Sequence, residues 1–135
     1  MGKQMEKKFI LDLDSARRVA AAAEAEADKN DWKVVIAIVD DGGHLVYLQR
    51  GNVQLGSIDI AVDKAKSAAL LRRSTKIWEE IVDGGRPGYL ALPGIVPLEG
   101  GIPLIYRDQI VGAIGVSGVK STEDGIIAQA GASAL

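Results

Sequence analysis

The sequence predicts a single α+β domain, an antiparallel sheet backed by helices, and three observations carry that expectation. The hydrophobic patterns along the chain run helix, two strands, two helices, two strands, helix. The two strands of each pair are joined by a short polar link, which suits a hairpin and not the long crossover of a parallel pair. With 135 residues, 47% hydrophobic and 25% charged, one domain over 1–135 buries roughly two thirds of the surface its unfolded chain exposes, without a metal or disulfide staple. Residues 1–10 are expected to form a flexible N-terminus to that domain.

The first helix is expected over Asp14–Asn30, where Ala16, Val19, Ala20, Ala23 and Ala27 trace one stripe at helical spacing. Asp12 or Asp14 can accept hydrogen bonds from its first free amides, and a stripe of alanine lets the helix lie close against what it covers. Trp32–Val39 reads as a strand covered on both faces, almost without polar interruption, and therefore central. Asp40-Asp41-Gly42-Gly43 supplies a turn, and His44–Arg50 returns as a second strand whose strict alternation puts His44, Val46, Leu48 and Arg50 on one face.

A second helix is expected over Ser57–Arg73 from Ile58, Ala61, Val62, Ala65, Ala68 and Ala69, with Asp59 near its start and Arg72-Arg73 at its end. Ser74 or Thr75 caps a third through Ile77, Trp78 and Ile81, which stops at Gly84-Gly85-Arg86-Pro87-Gly88. Residues 84–101 hold three of the four prolines and no periodicity. Connections of about eighteen residues in compact domains tend to be functional. Ile102–Tyr106 and Ile110–Ser117 form a second hairpin around Arg107-Asp108-Gln109. Ser121-x-x-Asp124 has the spacing of a capping box and opens a last helix through Ile126, Ile127 and Ala130.

Composition excludes several function classes. The formal net charge is −2, so the Lys and Arg surplus of a phosphate-neutralising surface is missing and nucleic acid is not an expected partner. Cysteine is absent, which rules out disulfides, thiolate catalysis, Cys-zinc and iron–sulfur ligation. The longest wholly apolar run, Val34–Val39, is far short of the roughly 20 residues that span a bilayer. The start Met1-Gly2-Lys3-Gln4-Met5-Glu6 lacks the apolar stretch of a leader, so a cytoplasmic protein is expected.

His44 is the sole histidine, so any imidazole acid, base or axial-ligand role falls on it. Gly115-Val116-Ser117-Gly118-Val119 approaches a nucleophile elbow but fails at its fifth residue and lies in a hairpin. Gly112, Gly115 and Gly118 have the wrong spacing for a dinucleotide fingerprint. Their better reading is steric, since they admit a helix, a neighbouring subunit or a flat ligand. Arg50, Lys64, Lys66, Arg72 and Arg73 offer cations for a carboxylate. Glu24 and Glu26 diverge on a helix and Glu79 and Glu80 are adjacent, so no metal site is expected.

Taken in order, Val39-Asp40-Asp41-Gly42-Gly43-His44-Leu45, Gly56-Ser57-Ile58-Asp59-Ile60-Ala61 with Lys64-Ala65, Thr75, Gly100-Gly101-x-Pro103 and Val111-Gly112-Ala113-Ile114-Gly115-Val116-Ser117-Gly118 resemble the GlcG/HbpS-like family, which takes in the C-terminal domain of PduO. The resemblance runs from about Leu11 to Ala130. It implies a profilin-like fold, with an antiparallel sheet of about five strands, helices packed on it and assembly into homo-oligomers. It also implies a small-molecule ligand, since some members bind haem and others accompany glycolate or diol metabolism. Two departures stand out: Arg107-Asp108-Gln109 lacks the usual turn glycine, and Gly51-Asn52-Val53 follows Arg50 where relatives carry Met-Asp-Gly or similar.

Two functional readings follow. In the first, haem or a related tetrapyrrole is held between the second-helix side of the sheet and the 84–101 loop. His44, or less conventionally Thr75 or a tyrosine, is its axial donor, and Arg50 or Lys64 pairs with its propionates. In the second, the chain is an enzyme or accessory protein acting on a small carboxylate or diol. Arg50, Lys64 and the backbone around Gly100, Gly101 and Gly115–Gly118, Ser117 included, would hold its anion. Neither reading names a catalytic residue.

Overall fold

Leu13–Lys29 forms the first helix, α1, in the computed structural model, which describes Gly2 and residues 4–135. Asp12 is its cap, accepting from the Ser15 amide at 2.8 Å, and the alanine stripe is buried throughout. β1 (Val35–Asp40) and β2 (Leu45–Arg50) form the first hairpin. Their register skips between Ile38, opposite Tyr47, and Val39, opposite Leu45. Val46 is the extra residue of a β-bulge, so the strict alternation expected along His44–Arg50 breaks there.

α2 spans Ser57–Leu71 and stops short of the expected Arg73, because Arg72 turns left-handed at φ 60° and closes the helix. α3 (Thr75–Asp83) is capped by Ser74, whose hydroxyl accepts from the Lys76 amide at 3.2 Å. The long connection contains a 3-10 turn at Pro87–Ala91 that has no signature in hydrophobic spacing. β3 (Gly101–Tyr106) and β4 (Gln109–Ser117) form the second hairpin, and α4 (Ser121–Ala132) ends the order. At the β3–β4 turn Arg107 and Asp108 both adopt positive φ, 46° and 65°, in place of the missing glycine. The α4 start differs from expectation: the Lys120 amide donates to Glu123 Oε1 at 3.3 Å, which leaves Asp124 free to turn inward.

The sheet order is β2-β1-β4-β3, every neighbour antiparallel. Among the described residues four strands, and not about five, make the sheet. The extended N-terminal segment adds no ladder, because the Phe9 amide donates to the Gln109 side chain at 3.0 Å and not to a strand carbonyl. Phe9 meets Tyr106 edge-on, with ring centroids 4.9 Å apart. The expectation of a flexible arm at 1–10 also touches Met1 and Lys3, which lie outside the described residues.

Helices cover both faces. Ile36, Ile38, Ile114 and Val116 face α1 and α4, while Val35, Ala37, Val39 and Ala113 face α2 through its Ala61, Ala65 and Ala68. The α2 side is made of small residues, and a side chain on Gly115 would run into the Ala61 carbonyl and the Ala65 amide. Of the three steric readings for that glycine, the helix is what approaches it. Among the described residues no helix is long and apolar enough to cross a membrane.

Candidate functional site

Lys64 falls on the inward half of α2, three residues after Ala61 and next to Ala65, and is only 2% exposed. Its ammonium donates to Asp124 Oδ2 at 3.0 Å and to the Val116 carbonyl at 3.0 Å, and Asp124 Oδ1 accepts from the Val119 amide at 3.2 Å. Burial pushes the Asp124 carboxyl above its ordinary value, against the pull of Lys64. Next to this pair, Thr75 Oγ1 accepts from the Gly101 amide at 2.9 Å, and the Ser117 and Ser57 hydroxyls meet at 3.3 Å. Gly100, at φ +129°, has no room for a Cβ, which would lie 2.7 Å from the Val116 carbonyl oxygen and 2.8 Å from Lys64 Nζ.

Five residues singled out from the sequence thus converge at one end of the sheet: Lys64, Thr75, Gly100, Gly101 and Ser117. They tie α2, α3, β3, β4 and α4 together and are all buried. Arg50 is exposed on the outer strand at that same end, paired with Val35, which in turn pairs with Ser117. His44 lies at the opposite end, in the β1–β2 turn, with its ring beside Asp40 and its side chain 80% exposed.

Between α2 and the long loop lies an open cleft of about 340 Å³, bordered by Asp63, Lys66, Ser67 and Leu70 on the helix and Ile95 and Val96 on the loop. Ser67 Oγ is buried there without a hydrogen-bond partner. Such a group costs free energy unless something satisfies it. Leu70 also packs against Gly43, next to His44: a Cβ on that glycine would lie 3.4 Å from Leu70 Cγ. A second hollow, about 270 Å³ beside Phe9, Asp12, Arg18 and Tyr106, contains no buried unpaired side-chain atom among the described residues.

Sequence reasoning missed Asp124, Asp40 and Ser67. A lysine within the buried stripe of α2 is the signal that a carboxylate must lie opposite, but spacing alone does not say which.

A family model described as "Haem degrading protein HbpS-like" matches residues 11–133. The chain belongs to the HbpS-like family. Its relatives include Protein GlcG of Escherichia coli K12, 45% identical over 114 residues that cover 84% of this chain and 85% of that protein. A crystal structure of a Streptomyces reticuli HbpS double mutant superposes with a TM-score of 0.85 at 30% identity, covering 100% of this chain and 93% of the other. The crystal structure of the PduOC:Heme complex superposes with a TM-score of 0.83 at 26% identity, covering 94% and 96%. The family-model match takes in the buried Lys64–Asp124 junction, the α2 cleft and the His44 turn alike.

Proposed function

We propose that the chain is a small ligand-binding protein that takes up haem or a related tetrapyrrole reversibly, along the cleft between α2 and the 84–101 loop. The observation that carries this reading is the likeness, over almost the whole chain, to the structure of the PduOC:Heme complex. The residues present suit such a group. Leu70, Ile95 and Val96 offer apolar contact, Lys66 stands exposed for a propionate, and Ser67 brings an unsatisfied hydroxyl. Of the axial-donor candidates His44 and Thr75, Thr75 Oγ1 is enclosed with Gly101, whereas His44 faces solvent, one residue after the Gly43 that lies against Leu70. Haem, when bound, supplies redox-active iron already held by four ring nitrogens; the chain's part is to bind and orient it.

Titrating the protein with haemin tests this. A displaced Soret band is expected, and Lys66→Glu weakens binding about tenfold, equivalent to about 1.4 kcal/mol. An unchanged Soret band in the wild type overturns the reading.

The competing reading, in small-carboxylate or diol metabolism, draws on Lys64 and on amides near Gly101 and Gly115–Gly118. The Lys64 ammonium bonds Asp124 and Val116, the Gly101 amide bonds Thr75, and the Val119 amide bonds Asp124. Arg50 remains as the open cation of that set. A thermal-shift screen of small acids and diols separates the two, because a ligand specific to the native state raises the melting temperature. We also propose self-association, through the exposed Leu90, Leu92 and Leu98 of the long loop and Leu70 beside it.

A further inference from the structure

The β1–β2 turn is organised around a single oxygen atom. Asp40 Oδ1 accepts from the Gly42 amide and from the His44 amide, each at 2.9 Å, and lies 3.2 Å from His44 Nδ1. The main chain closes the same loop, with the Asp40 amide donating to the His44 carbonyl at 2.8 Å and the Gly43 amide to the Asp40 carbonyl at 3.0 Å. An oxygen that already accepts from two amides bears no hydrogen of its own, so the ring nitrogen that faces it carries the hydrogen. In the neutral ring the lone pair then belongs to Nε2.

The two glycines of the turn serve this arrangement. Gly43 adopts φ +82°, and a Cβ on Gly42 would stand 3.0 Å from Cε1 and Nδ1 of the His44 ring. The carboxylate is locked by three donors and the ring has space to lie against it.

Among the described residues no three ligating side chains gather to hold a metal ion. A bare cation would find one imidazole and little else. A metal that arrives with four donors of its own needs only that one.

We propose that Asp40 is the positioning residue for His44, holding the imidazole in its Nδ1–H form so that Nε2 faces outward as the axial donor to haem iron. The axial part rests on the tetrapyrrole reading above; the positioning part does not. Removing the partner of a metal-binding imidazole typically lowers metal affinity by about 10- to 100-fold.

The experiment has two arms on the full chain. Long-range proton–nitrogen NMR of the ligand-free protein, with the ring neutral, is expected to show the Nδ1–H form in the wild type. Asp40→Asn and Gly42→Ala should shift it toward Nε2–H. In haemin titrations the wild type gives an imidazole-ligated spectrum, His44→Ala loses it and recovers it with added imidazole, and Asp40→Asn binds about tenfold more weakly or worse. Thermal melts of the variants check that they fold. A wild-type ring mainly in the Nε2–H form overturns the positioning role whatever haemin does. Haemin bound with the same spectrum in His44→Ala overturns the axial role and leaves the tetrapyrrole reading standing. No haemin binding at all overturns the axial role and that reading together, while the NMR still decides the part played by Asp40.

Discussion

Lys64 and Asp124 set up a test that separates charge from packing. Removing one member of a buried pair strands the other, which costs about 3–5 kcal/mol. Lys64→Met should destabilise the chain by that amount in urea unfolding at pH 8, and adding Asp124→Leu should restore part of it. The pH dependence follows from the raised Asp124 carboxyl. Without Lys64 it rises further above its unfolded value, so the folded state takes up the proton first and the deficit of Lys64→Met shrinks as pH falls from 8 toward 5. Asp40 and Asp12 work in the opposite direction. At Asp12 the bonds from Ser15 lower the carboxyl, and at Asp40 the turn donors prevail over burial. Folded values below 3.8 stabilise the protein above that pH, and the contribution is lost as pH falls through them. Acid titration followed by circular dichroism should show a shallower loss below pH 3.8 in Asp40→Asn than in the wild type.

At the scale of elements, α2 docks on β4 by the absence of side chains. Gly115→Ala would drive a methyl into the Ala61 carbonyl and Ala65 amide, rigid backbone on both counts. A loss of about 3 kcal/mol or more is expected in denaturant unfolding. Gly56→Ala is the control: φ is −61° and nothing lies within 4 Å, so stability should stay within about 1 kcal/mol of the wild type, on the favourable side. The elements themselves were legible, though not every boundary, because small apolar residues recur at helical spacing in α1 and α2 and β1 is rich in β-branched residues. The Val46 bulge and the 3-10 turn at Pro87–Ala91 were not, since both arise from local backbone geometry that leaves the hydrophobic period unmarked.

For the molecule as a whole, the exposed Leu90, Leu92 and Leu98 of the long loop are the side chains through which self-association is proposed. Size-exclusion chromatography with light scattering should give a mass above one chain, and Leu92→Asp with Leu98→Asp should lower it. An unchanged single-chain mass in the wild type would remove that part of the proposal. The amino-acid sequence by itself determined the order of elements, the antiparallel hairpins and the family, because periodicity and turn chemistry act over a few neighbours in the chain. Only the tertiary structure decided that Lys64 is neutralised by Asp124, that Ser67 is left without a partner beside a cleft, and that Asp40 holds the ring of His44 while Arg50 stands apart. Partners sixty residues apart, as Lys64 and Asp124 are, meet only when helices close over both faces of the sheet, and no local pattern records which of many carboxylates will be there.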